Sequence, residues 1–146
     1  MKIFVTGGTG FIGRPLVRAL VKAGFEPVVL LRESEADPQV NGASWVRGSP
    51  LEPGPWQEAV GQCDAAINLA GEPIAGRWTA EKKRNIRSSR LLTTRNLVAA
   101  IPKSTGFRLF STSAVGVYGD AGEAELTEDS PHGTDFLAGV ASAWEA

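Results

Sequence analysis

The sequence predicts an α/β fold built on one parallel sheet, and three observations predict it. Short, apolar, β-rich runs alternate with segments of helical periodicity along the whole chain. The first run passes straight into a glycine-rich turn and then a helix, TGGTGFIG at positions 6–13. A second apolar run, PVVLL at 27–31, follows that helix. Strand, helix and strand therefore fit within about thirty residues, the size of one crossover unit.

Each element follows from its residues. Lys2–Thr6 (KIFVT) reads as a buried strand ended by glycines. In Phe11–Ala23, apolar residues at 12, 16, 20 and 23 have helical spacing, Pro15 suits the first turn and Gly24 suits the stop. Pro27–Leu31 is the second strand and Ser44–Val46 a short third. The breaker-rich SPLEPGP then leads into a short helix over Trp56–Gly61. Ala65–Leu69 (AAINL) is the fourth strand, Thr79–Ala100 a long helix, and Arg108–Ser111 (RLFS) the fifth strand. Residues Ala114–Pro131, rich in glycine and acids, read as loop, and Asp135–Ala146 as a last helix.

Composition narrows the function. The 146 residues suffice for one domain with a real core, and 42% apolar with 21% charged residues is ordinary for a globular protein. A net charge of −1 gives no general attraction to nucleic acid or anionic membrane. The local run Arg77, Lys82, Lys83, Arg84, Arg87, Arg90 and Arg95 lacks the aromatic interleaving of a nucleic-acid surface, with only Trp78 beside it. No segment is long and apolar enough to span a bilayer, and the N-terminus has no signal-peptide pattern, so a cytoplasmic location is expected. One cysteine, Cys63, excludes an internal disulfide and reads as packing. No metal site is expected.

The glycine loop carries the chemistry. Gly7, Gly10 and Gly13 lie between a strand and a helix, the context in which such glycines bind a dinucleotide. They allow a tight turn, close approach of a pyrophosphate to backbone, and close packing of helix on strand, while the helix N-terminus faces the negative charge. The expected contacts are Gly7, Thr9, Gly10, Phe11, Ile12 and Gly13. Arg32 stands at the end of the second strand, where an acid would bind the ribose 2′-OH of NAD and a cation suits the 2′-phosphate of NADP. NADP is therefore expected and NAD is the second choice, because Glu33 follows at once.

The motifs TGGTGFIG, NLAG after the fourth strand and STSAVGVYG after the fifth resemble the extended branch of the short-chain dehydrogenase/reductase superfamily. More narrowly, NLAGEPIAGRW, SSRLLTTRNLVAAI, LTEDSP and DFLAG…WE resemble its atypical NAD-dependent epimerase/dehydratase-type subfamily. The resemblance covers essentially the whole chain. It implies a doubly wound Rossmann-type sheet of which five strands are present, the N-terminal part of a fold that in the family continues to a sixth strand and a substrate domain. It also implies cofactor contacts at Leu69, Ala70 and Gly71, and pairing of two copies through helices 79–100 and 135–146.

In typical members a Ser, a Tyr and a Lys four residues beyond it couple proton transfer to hydride transfer. Ser113 matches the Ser, but Phe136 stands where the Tyr is expected and Val140 where the Lys is expected. Neither can exchange a proton. Arg90 stands where the family often carries an Asn; with Asn85 it could face the cofactor diphosphate or the substrate, the alternative being a solvated charge in the basic stretch. Tyr118, the only tyrosine, could replace the missing acid; its plainer role is packing. Glu128 and Asp129 could supply a carboxylate but read more simply as a loop or cap, and His132 as exposed loop. Two functions follow: an NADP-dependent oxidoreductase or epimerase-like enzyme on an unknown small molecule, or an NADP(H)-binding sensor without catalysis.

Overall fold

A computed structural model describes residues 1–34, 40–103 and 106–146. They form two compact units, Met1–Ser111 and Thr112–Ala146. In the first, strands β1 (Lys2–Thr6), β2 (Glu26–Leu31), β3 (Ser44–Arg47), β4 (Ala65–Asn68) and β5 (Arg108–Ser111) alternate with helices α1 (Gly13–Lys22), α2 (Trp56–Gly61) and α3 (Ala80–Ala99). The sheet order is β3-β2-β1-β4-β5 and every pairing is parallel. The chain moves outward from β1 to β3, then returns to lay β4 on the other side of β1. That reversal opens a crevice at the carboxyl ends of β1 and β4, where ligands bind in sheets of this kind.

Alternation along the strands builds two cores. Phe4, Leu30 and Ala66 point to one face and meet Trp56 and Val60 of α2 and Leu97 of α3. Ile3, Val5, Val29 and Ala65 point to the other and meet Val17 of α1. Trp56 anchors the first core: it is fully buried, its ring stacks on Phe4 at 5.9 Å between centroids, and its indole N–H donates to the Glu52 carbonyl. Cys63 belongs to the same core and donates to the Ala59 carbonyl. Burial pushes its thiol up to about 11, which suits packing and not a nucleophile.

The predicted elements are present with shifted ends. The first helix begins at Gly13, not at Phe11, because the Gly10 N–H bonds back to the Gly7 carbonyl and residues 10–12 are used in the turn. Helix α3 begins where expected, since the Thr79 hydroxyl caps it by accepting from the Lys82 N–H. Within the stretch read as loop, the second unit forms a short 3₁₀ helix at Val115–Tyr118, which packs on α4 (Phe136–Glu145). The Asp135 carboxylate caps α4 by accepting from the Ala138 N–H. Among the described residues no helix is long and apolar enough to cross a membrane.

A buried polar network ties the carboxyl ends of the strands to α3. Asn68 on β4 accepts from the Thr6 hydroxyl of β1 at 2.6 Å and donates to the Thr94 hydroxyl of α3 at 2.9 Å and to Ser111 of β5 at 3.2 Å. Thr6 in turn accepts from the Ala70 N–H at 3.3 Å. Replacing Asn68 by Leu removes the acceptor of the buried Thr6 hydroxyl and one bond to Thr94 while adding no room for water. The expected cost is about 2–4 kcal/mol, read in urea as a lower midpoint at unchanged slope.

Candidate nucleotide-binding cleft

The crevice over β1 and β4 is a cleft of about 360 Å³ within the first unit. Its walls come from five places. The glycine loop contributes Thr6, Gly7, Thr9 and Gly10. The end of β2 contributes Leu30 and Arg32, and the turn after β3 contributes Ser49, Pro50 and Leu51. The loop leaving β4 contributes Leu69 to Pro73, and α3 contributes Ser89 and Thr93.

The loop's shape depends on missing side chains. Gly7 has φ +69°, and a Cβ there would lie 2.7 Å from the Leu69 carbonyl carbon. Gly13 is buried, and a Cβ on it would lie 2.2 Å from the Gly7 carbonyl oxygen and 2.6 Å from the Gly8 Cα. The helix can thus start directly against the turn, and the Arg14 N–H bonds back to the Gly10 carbonyl at 3.0 Å. Arg14 closes the turn by donating to the Thr9 carbonyl at 2.7 Å.

Of the residues expected from sequence, Gly7, Thr9, Gly10, Arg32, Leu69, Ala70 and Gly71 line this cleft. Gly13 acts behind it, through packing. Phe11 and Ile12 are not among the lining residues; at 98% and 63% exposure their side chains project into solvent from the entry turn of α1. Asn85 is exposed on α3 and is not in the lining either. Arg90 turns toward the loop leaving β4 and donates to the Glu72 and Ile86 carbonyls, each at 3.1 Å. Burial lowers the pKa of its guanidinium, and the charge of Glu72 offsets part of that.

Residues not expected from sequence complete the cleft: Thr6, Leu30, Ser49, Pro50, Leu51, Glu72, Pro73, Ser89 and Thr93. The breakers of SPLEPGP mark a loop, but only the return of the chain to β4 brings that loop beside the glycines. Thr93 is fully buried and its hydroxyl has no hydrogen-bond partner. A nucleotide fits these features: the loop leaves room only for backbone, and the cleft wall holds an unmet polar group.

In the second unit, the Ser113 hydroxyl donates to the Glu145 carboxylate near the end of α4. Tyr118 is half-buried, its ring edge-on to His132 at 6.3 Å between centroids. His132 is exposed as expected, and its Nδ1 shares a hydrogen bond with the Ser142 hydroxyl at 2.9 Å. Val140 is buried in α4 beside Ala138 and Ala141, and Phe136 is half-buried at the start of that helix. Among the described residues no cluster of His, Cys, Asp and Glu could hold a metal ion.

The unmet hydroxyl generates a prediction. Thr93→Val keeps the shape and removes the hydroxyl, so the ligand-free protein is expected to gain about 1 kcal/mol of stability. A denaturation midpoint unchanged or lowered by this variant would count against an orphaned group at that position.

Comparison with known proteins agrees with this geometry. Residues 3–136 match the NAD dependent epimerase/dehydratase family. The chain is 39% identical over 148 residues to the epimerase family protein YfhF of Bacillus subtilis, covering 99% of this chain and 48% of that protein. It is 38% identical over 150 residues to the chloroplastic SDR39U1 homolog of Arabidopsis thaliana, covering 99% of this chain and 43% of the relative. The chain thus spans about half the length of the curated relatives it matches. Among solved structures, human SDR39U1 with NADPH superposes with a TM-score of 0.75 at 32% identity, over 99% of this chain and 48% of that one. A UDP-galactose 4-epimerase superposes with a TM-score of 0.79 at 26% identity, over 99% of this chain and 49% of that one. The chain belongs to the NAD-dependent epimerase/dehydratase family and carries its NAD(P)-binding Rossmann fold.

Proposed function

We propose that this chain binds NADP(H) in the cleft and serves an oxidoreductase or epimerase-like reaction on a small molecule. The observation that carries the reading is the glycine cradle: Gly7 and Gly13 leave no room for side chains where backbone N–H groups must approach a diphosphate. Gly7, Thr9 and Gly10 would hold the diphosphate, with Leu69, Ala70 and Gly71 as the opposite wall. Arg32 lines the cleft at the end of β2, where a cation favours a ribose 2′-phosphate. The relative solved with NADPH supports the same choice of cofactor. When bound, the nicotinamide supplies a hydride donor or acceptor.

The chain's own part is to move a proton. Phe136 and Val140 stand at the positions of the usual Tyr and Lys and have no titratable group. Ser113 would orient and polarise a substrate carbonyl or hydroxyl, and Tyr118, a carboxylate or water would supply the acid. The inert pair is also the observation that favours the second reading, an NADP(H)-binding sensor or regulatory module without turnover.

Thermal shift separates the cofactors: NADPH is expected to raise the melting temperature more than NADH at equal concentration. Arg32→Glu is expected to reverse that order, and Gly10→Leu to abolish both shifts. A larger shift with NADH in the native chain would contradict the assignment to NADP. The two functions are separated by absorbance at the NADPH band with a panel of small carbonyl compounds. Oxidation of NADPH that disappears in Ser113→Ala is expected for the enzyme, and a bound but unconsumed cofactor for the sensor.

A further inference from the structure

We infer that Arg90 is a positioning residue: through the backbone of Glu72 it holds the loop leaving β4 as a fixed wall of the cleft, instead of contacting a bound dinucleotide itself. The loop is gripped at Glu72 from two places on α3, Lys82 and, about two turns on, the pair Ser89 and Arg90. Arg90 Nη1 donates to the Glu72 carbonyl at 3.1 Å. The Ser89 hydroxyl accepts from the Glu72 N–H at 2.9 Å. Lys82 Nζ pairs with the Glu72 carboxylate at 2.7 Å. One residue thus has its N–H, its C=O and its side chain all held by the same helix.

Arg90 is itself anchored, since the same nitrogen also donates to the Ile86 carbonyl at 3.1 Å one turn back, the direction in which a long helical side chain leans. The guanidinium lies flat enough against the loop that a Cβ on Gly71 would come within 3.2 Å of its central carbon. This accounts for a small residue at Gly71 without invoking the ligand. The arrangement also treats a charge problem. Glu72 lines the cleft, and an unpaired carboxylate there would repel a diphosphate; Lys82 neutralises it directly and Arg90 stands beside it.

A wall held before the ligand arrives spares the ordering of several backbone residues on binding. The consequence for affinity rests on the NADP(H) reading, while the clamp itself does not, and the experiment keeps the two apart. Hydrogen exchange of the ligand-free chain reads the clamp directly: Arg90→Gln is expected to speed exchange of the Glu72 amide, which is bonded to Ser89, by tenfold or more. Ser89→Ala, which changes no charge, is expected to do the same at Glu72, and it carries this arm should the first variant fail to fold. Unchanged exchange in the variants would overturn the clamp.

NADPH titration then reads the consequence. Arg90→Gln is expected to weaken binding roughly tenfold with an unchanged dependence on ionic strength, and Arg90→Lys is expected not to restore it. Lysine keeps the charge but its nitrogen stands about one atom short of the guanidinium Nη1 that bonds both carbonyls. A reduced salt dependence, or recovery in Arg90→Lys, would show a direct contact with phosphate and overturn the positioning role. Unchanged affinity would show that the wall needs no clamp. Absence of NADPH binding by the native chain would overturn the cofactor reading and its consequence for Arg90, while the exchange result would still decide the clamp.

Discussion

The approach of the glycine loop to the exit of β4 is the constraint on which the rest of this structure depends. A single Cβ on Gly7 would sit 2.7 Å from the Leu69 backbone, so the two chain segments pass each other with no side chain between them. Directly below, Asn68 bonds to Thr6, Thr94 and Ser111, so one buried amide ties β4 to β1, β5 and α3 beside the backbone ladders. Loss of that register would move Leu69 relative to Gly7 and open the crevice that the reversal of strand order creates. The cleft is thus a product of close backbone packing above and hydrogen bonding beneath.

The polar side chains around the cleft divide by what they touch. Thr6 and Asn68 satisfy each other and serve the sheet. Arg90, Ser89 and Lys82 are spent on Glu72 and serve the wall. Thr93 is left with an unmet hydroxyl, which a native protein tolerates where a ligand or water later supplies the partner. Part of the basic run on α3 is thus taken up by this loop, while Lys83, Arg84, Arg87 and Arg95 stay exposed. Two of its cations point inward to a carboxylate and to carbonyls, because the helix packs alongside the loop that presents those acceptors.

Much of the architecture was legible in the residues. Strand runs such as KIFVT and PVVLL and the glycine spacing at 7, 10 and 13 are local signals, and each produced the element expected of it. The 3₁₀ turn at Val115–Tyr118 left no such signal, since a single turn has no periodicity to detect and is held by its packing on α4. Within the site, the residues adjoining the glycine loop and the ends of β2 and β4 could be named because strand ends are visible in the chain. Ser49, Pro50, Leu51 and Thr93 could not, since their place beside the glycines depends on where the chain returns after β3.

By itself the sequence determined the kind of fold, the glycine loop, and the absence of a titratable group at Phe136 and Val140. These follow from residue type and spacing, which need no knowledge of neighbours in space. The direction of Arg90 was decided only by tertiary structure. A guanidinium on a helix has equal local reason to face a phosphate or a carbonyl, and the choice falls to whichever acceptor the fold brings within about 3 Å. Here the loop leaving β4 crosses that helix and offers the Glu72 carbonyl, so a cation legible as a ligand for phosphate is instead bonded to the wall.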